Sequence, residues 1–179
     1  MAVQYYVAAS VDGFIAAPGD DLAWLMQFGM EEFQAHYDRF ISDVGALVMG
    51  SSTYAFIRRE GGDWPYADTP TWVLTSRVLE PFEGADLRFA EADIVEVVGA
   101  ARDAAGERNV WIVGGGDVAA QVADAGLLDE LHLTLMPVVL GRGTALLPVG
   151  ATLGPLQLLR STTFDSGAVE HVYSLHAAG

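Results

Sequence analysis

Val110-Trp-Ile-Val-Gly-Gly-Gly-Asp117 is an apolar, strand-like run that ends in three consecutive glycines and then opens into a helical pattern. Glycines let the backbone turn sharply and approach a ligand closely. The first N–H groups of the following helix point outward with the positive end of its dipole. The arrangement suits a phosphate, and a dinucleotide pyrophosphate is its natural guest. The same glycines also serve a bare strand-to-helix turn, so the reading depends on what converges with it. The helix is expected to start near Gly116 or Asp117, bury Val118, Val122 and Ala125, and stop at Gly126, which can adopt the left-handed conformation.

On either side of this turn, strands and helices alternate. Val3 to Ala9, Ala46 to Met49, Thr71 to Leu74 and Leu87 to Ala90 read as four strands before Val110 to Val113. A sixth follows in which Leu131, Leu133 and Leu135 alternate with His132, Thr134 and Met136. Leu156 to Phe164 and Val169 to Leu175 then form an antiparallel pair around Asp165-Ser-Gly167. Met30, Phe33, Tyr37 and Phe40 recur at helical spacing, as do Ile94, Val97, Val98 and Ala101. The second set follows Asp93, with Glu96 three residues on, as in a capping box. The simplest topology is one α/β domain over 1–179: a central, mostly parallel eight-stranded sheet, flanked by helices, with an antiparallel C-terminal hairpin.

Composition narrows the function. The chain has 179 residues, of which 51% are hydrophobic and 18% charged, enough for one globular core. Its net charge of −15 repels nucleic acid and anionic membranes, and no basic cluster offsets it. All nine bases are Arg, so neither a Schiff-base lysine nor a Walker-type lysine can operate. The lack of Cys excludes disulfides and thiolate metal sites. His36, His132, His171 and His176 have no metal-ligand spacing, so no metal is expected. With no signal peptide or long apolar run, the expected location is cytoplasmic.

Ligands of open α/β sheets bind beyond the carboxyl ends of the strands, and three turns converge there. Met49-Gly-Ser-Ser-Thr-Tyr54 brings Gly50 with the hydroxyls of Ser51, Ser52 and Thr53, residues that also suit ordinary helix capping. Leu74-Thr-Ser-Arg77 adds two hydroxyls and a guanidinium. The glycine turn is the third. Together they describe a nucleotide cleft better than any one of them alone.

These segments, with Ser10-Val-Asp-Gly-Phe-Ile-Ala16 and Leu128 to Gly143, resemble in order the dihydrofolate reductase-like superfamily. Within it they resemble most the branch of the C-terminal reductase domain of the bifunctional riboflavin deaminase-reductase. The resemblance implies NADPH along the carboxyl edge. Ala8, Ile15 and Ala16 would line the nicotinamide pocket, and Gly50, Ser51, Ser52 and Thr53 with Val113, Gly114, Gly115, Gly116, Asp117 and Val118 would clamp the pyrophosphate. Leu74, Thr75, Ser76 and Arg77 would hold the adenosine end, with Ser76 and Arg77 toward a 2′-phosphate. Arg58 and Arg59 read as surface charge. A cis peptide between Gly114 and Gly115, a homodimer and a small-molecule substrate are implied as well.

Dihydrofolate reductases bind the pterin through a buried helix carboxylate. Glu31 and Glu32 are the candidates here, although acids near a helix start also serve its dipole. Thr134, Trp24 and Asp12 are candidate substrate contacts; Asp12 also suits the tight Asp12-Gly13 turn. Trp64-Pro-Tyr66 reads as a packed surface loop, with part of a substrate lid as the alternative. Riboflavin-pathway reductases carry lysine where this chain has Tyr6 and glutamate where it has Gly114, while Ala119 replaces an aromatic residue of dihydrofolate reductases. The missing lysine makes a phosphate-bearing substrate less fitting than a neutral heterocycle. The expected function is an NADPH-dependent reductase of a pteridine- or aminopyrimidine-like ring. A nucleotide-binding protein without turnover, a flavin in the nicotinamide position and NADH instead of NADPH stay open.

Overall fold

The computed structural model describes residues 1–66 and 69–176, so residues 177–179 of the expected 1–179 unit and the two residues after Tyr66 lie outside the description. Eight strands form the main sheet: β1 (Val3–Ser10), β3 (Val44–Gly50), β4 (Thr71–Leu74), β5 (Leu87–Ala90), β6 (Asn109–Gly114), β7 (Glu130–Met136), β9 (Gln157–Thr163) and β10 (Val169–Ser174). Two short strands, β2 (Phe14–Ala16) and β8 (Thr144–Ala145), make a separate ribbon. The main sheet is ordered β5-β4-β3-β6-β1-β7-β10-β9 and is parallel from β5 through β7. The β9–β10 hairpin closes it antiparallel, turning at Phe164 to Ala168.

Alternation along the strands splits the core into two layers. Val3 and Tyr5 of β1 face α4 (Ile94–Ala105) and α5 (Gly116–Asp124), burying Val97, Val98, Val118 and Val122 between them. The opposite layer is aromatic. Tyr6 stacks on Phe40 at 4.4 Å, and Trp111 meets both rings edge-on and donates its indole N–H to the Tyr6 carbonyl. Trp64 is buried with Tyr54 and Phe82, as a packed loop requires. Among the described residues, no helix is long and apolar enough to cross a membrane.

The helical readings hold in part. Phe33, Tyr37 and Phe40 are half-buried and pack against the core, but α2 spans only Gln34–Ser42, and Met30, which precedes it, is 53% exposed. Met30, Phe33 and Tyr37 also border a cleft. Ala125 is exposed because α5 ends at Asp124, and Ala123 is buried in its stead. Elsewhere local chemistry holds: Asp93 caps α4, accepting from the Val95 N–H at 2.8 Å.

α5 starts where it does because Gly116 lacks a side chain. A Cβ there would collide with the Ala145 carbonyl and lie 3.0 Å from that of Leu146, both backbone atoms that cannot swing aside. Gly116→Ala is therefore expected to cost on the order of 1–3 kcal/mol of stability or more, measured by urea denaturation, because backbone must move to admit one methyl.

Candidate active site

The carboxyl ends of β3, β6, β1 and β7 open onto a cleft of about 630 Å³, within the range of small-molecule sites. Its floor lies on neighbouring strands, where Ala8 and Thr134 are in register. One end is built from the starts of α3 (Ser51–Glu60) and α5, with Ser52, Thr53 and Gly114 to Asp117 in the wall. No side chain caps either helix. Their first-turn N–H groups and positive dipole ends are thus left to a ligand. Gly115, at φ +82°, makes the turn between β6 and α5, and a Cβ on Gly114 would come 3.0 Å from the Thr53 hydroxyl. The other end is apolar: Leu22, Leu25, Met26, Met30, Phe33 and Tyr37 line it, with Tyr6 and Ile15 alongside.

Several predicted residues meet here: Ala8, Ile15, Ala16, Ser52, Thr53, Val113, Gly114, Gly115, Gly116, Asp117 and Thr134 all line the cleft. Gly50 and Val118 lie behind it, packed so closely that a Cβ on Gly50 would come 3.2 Å from Val118 Cγ2. Leu74, Thr75, Ser76 and Arg77 are outside the wall, on the adjoining edge past β4. Arg77 reaches back to donate to Ser51 Oγ at 2.7 Å, and Thr75 Oγ1 accepts from the Arg77 N–H. Leu74 packs into the core. Arg58 pairs with Glu80 at 3.3 Å, as surface charge does.

Other expectations are overturned. Among the described residues the cis peptide bond is Gly154–Pro155, so Gly114–Gly115 is trans and the bend resides in the positive φ of Gly115. Trp24 does not reach the cleft; it is buried with Met136 and Ala168, beneath Leu25. Neither Glu31 nor Glu32 lines the wall. Glu31 is exposed, and the Glu32 carboxylate accepts from the Ser166 N–H, which ties the segment before α2 to the β9–β10 turn. Asp12 is a structural clamp outside the cleft: its carboxylate accepts from Ser10 Oγ, Leu140 N and Gly141 N at 2.6–3.0 Å.

The sequence did not single out Tyr37, Phe33, Phe56 or the Leu22–Met30 segment as wall, nor Glu170 as a neighbour. Glu170 is 2% exposed, sits beside Thr134 on the adjacent strand, and is paired with Arg160 at 3.1 Å and His36 at 3.8 Å. A carboxylate alternating with apolar residues in a terminal strand was the available signal. Burial, with the Glu170 charge second, holds the Tyr6 hydroxyl at about 12, and burial also raises that of Tyr37. Both remain protonated donors at neutral pH.

A model of the RibD C-terminal domain matches residues 63–169. The chain belongs to the RibD C-terminal domain family. Within reach of this RibD-type domain, the uncharacterized Bacillus subtilis protein YwjB is 28% identical over 141 residues, 79% of each chain. A proposed riboflavin biosynthesis protein from Shewanella sp. PV-4 superposes with a TM-score of 0.82 at 25% identity, over 97% of this chain and 98% of that one. Dihydrofolate reductase from Enterococcus faecalis, solved with NADP(H), shares the fold with a TM-score of 0.67 at 18% identity, over 97% and 95% of the two chains. The RibD-type domain thus has a dihydrofolate reductase-like fold.

The Asp12 clamp carries a pH signature. Hydrogen bonds from Ser10 and then Leu140 lower its carboxyl from 3.8 to about 2. A depressed folded-state value contributes stability that is present above about pH 4 and lost as pH falls toward 2. Asp12→Asn is expected to flatten that part of the melting-temperature profile, measured by circular dichroism between pH 6 and 2.

Proposed function

We propose that this protein is an NADPH-dependent reductase that delivers hydride to a pteridine- or aminopyrimidine-like ring. The observation that carries this reading is one cleft joining two uncapped helix starts to an apolar compartment floored by Ala8 and Thr134. The residues fit a nicotinamide dinucleotide: a Cβ would crowd the glycine cradle at Gly114, and backbone N–H groups suit pyrophosphate in a protein with few cations. Ser52, Thr53 and Gly114 to Gly116 would hold the pyrophosphate, Ala8, Ile15 and Ala16 the nicotinamide, and Ser76 with Arg77 the adenosine end. When bound, the cofactor supplies the hydride.

The chain's own part is positional. The Thr134 hydroxyl is the polar group of a floor otherwise made by small side chains, and it fixes the orientation of a ring by hydrogen bonding. Tyr6 and Tyr37 keep their protons and can donate to a ring heteroatom as charge develops on it. The apolar wall excludes water from the reacting carbon.

A second reading, cofactor binding without turnover, is favoured by one fact: the carboxylates of the described wall, Asp20 and Asp117, are both solvent-exposed. Thermal-shift titrations with NADPH, NADH and FMN test the cofactor, since a native-state ligand at a hundredfold excess over Kd adds about 2.7 kcal/mol. A larger shift with NADPH than NADH is expected, and Arg77→Ala is expected to narrow that difference. No shift with either nicotinamide overturns the proposal. Thr134→Val is expected to lower kcat for NADPH oxidation by roughly tenfold or more while leaving the NADPH shift in place. NADPH binding with no oxidation of dihydropterins or aminopyrimidines supports the second reading.

A further inference from the structure

Charge is divided unevenly between the two ends of the cleft. The end at α3 and α5 presents backbone N–H groups and hydroxyls, and it is the part of the wall suited to an anion. At the ring end the described wall holds neither Arg nor His, and the chain contains no Lys. The charged side chains of the wall are both acids, Asp20 and Asp117. Three guanidiniums are committed elsewhere, Arg77 donating to Ser51 Oγ, Arg160 paired with the buried Glu170 and Arg58 with Glu80, while Arg142, exposed two residues before Thr144, does not line the wall.

The apolar character of this end extends to its exposed members. Met26 and Met30 are 63% and 53% exposed yet line the cleft beside Leu22, Leu25 and Phe33. Flexible thioethers and aromatic faces adapt to a flat, weakly polar ring, and covering them removes apolar surface from water. A phosphate ester placed among them would lose hydration with no counter-ion to replace it, and the overall charge of −15 would repel it.

We infer that the substrate compartment takes an uncharged, planar heterocycle that carries no phosphate, and that it discriminates against the phosphorylated form of the same ring. The inference rests on the reductase reading, because it assigns the anion-binding end of the cleft to the cofactor. Phosphate is then welcome at one end and excluded at the other.

The test is isothermal titration of the protein, saturated with NADP⁺, with a hydroxyalkyl-substituted dihydropteridine and with its phosphate monoester. The unphosphorylated ring is expected to bind at least about tenfold more tightly. Equal affinity, tighter binding of the ester, or no binding of the unphosphorylated ring by a protein that binds NADP⁺ overturns the inference and leaves the cofactor assignment standing. Failure to bind NADP⁺ or NADPH overturns the reductase reading itself. Met30→Arg supplies a second arm: Met30 is half-exposed, so the new guanidinium stays solvated and the fold is undisturbed. The variant is expected to narrow the ratio of the two affinities by fivefold or more, through tighter binding of the ester, whatever it costs the neutral ring. No recovery counts against the missing cation as the cause of discrimination.

Discussion

Gly116 meets the backbone of Ala145 and Leu146 with no room for a side chain, and the rest of the cleft depends on that contact. It brings the first turn of α5 against the β2–β8 ribbon, which in turn places Ile15 and Ala16 opposite the glycine turn. Gly143 repeats the device: a Cβ there would run into the Ala16 carbonyl. Two close backbone approaches therefore set the width of the site, and packing density leaves that width little freedom. The parallel register of β3, β6, β1 and β7 then delivers four strand ends to one side.

On the reductase reading, binding an anion in so acidic a protein is an electrostatic problem solved with dipoles rather than side-chain charge. The uncapped starts of α3 and α5 offer partial positive charge at fixed positions, with no long side chain to immobilise. Arg77 is the adjoining cation, and its bond to Ser51 Oγ already holds it along the same edge. Asp117 in the first turn of α5 moderates that potential.

What the sequence made legible followed from local rules. Thr71 to Leu74 and Leu87 to Ala90 are strands at their predicted bounds, because short runs of β-branched and aromatic residues between turn formers leave few alternatives. The glycine turn was legible for the same reason. The region from Leu22 to Tyr37 was not: α1 is four residues, Ala23–Met26, without a period to detect. An aromatic stripe such as Phe33 and Tyr37 looks alike whether it faces a core or an apolar cleft. Trp24 and Glu32 were misplaced because their partners, Met136, Ala168 and Ser166, are over a hundred residues away in the chain, and Asp12 because its contacts with Leu140 and Gly141 are equally remote; Glu31 is exposed.

The end of the cleft at α3 and α5 is made largely of backbone contributed by two distant turns, while much of the apolar end comes from side chains in one contiguous stretch, Leu22 to Tyr37. That stretch contributes no strand to the main sheet and is pinned by contacts such as Glu32 to Ser166. Substitutions within it can redraw the shape of the acceptor pocket while the dipoles at α3 and α5 stay in place. On the reductase reading, substrate choice in this architecture can thus drift during evolution independently of cofactor use, through changes in fewer than twenty consecutive residues.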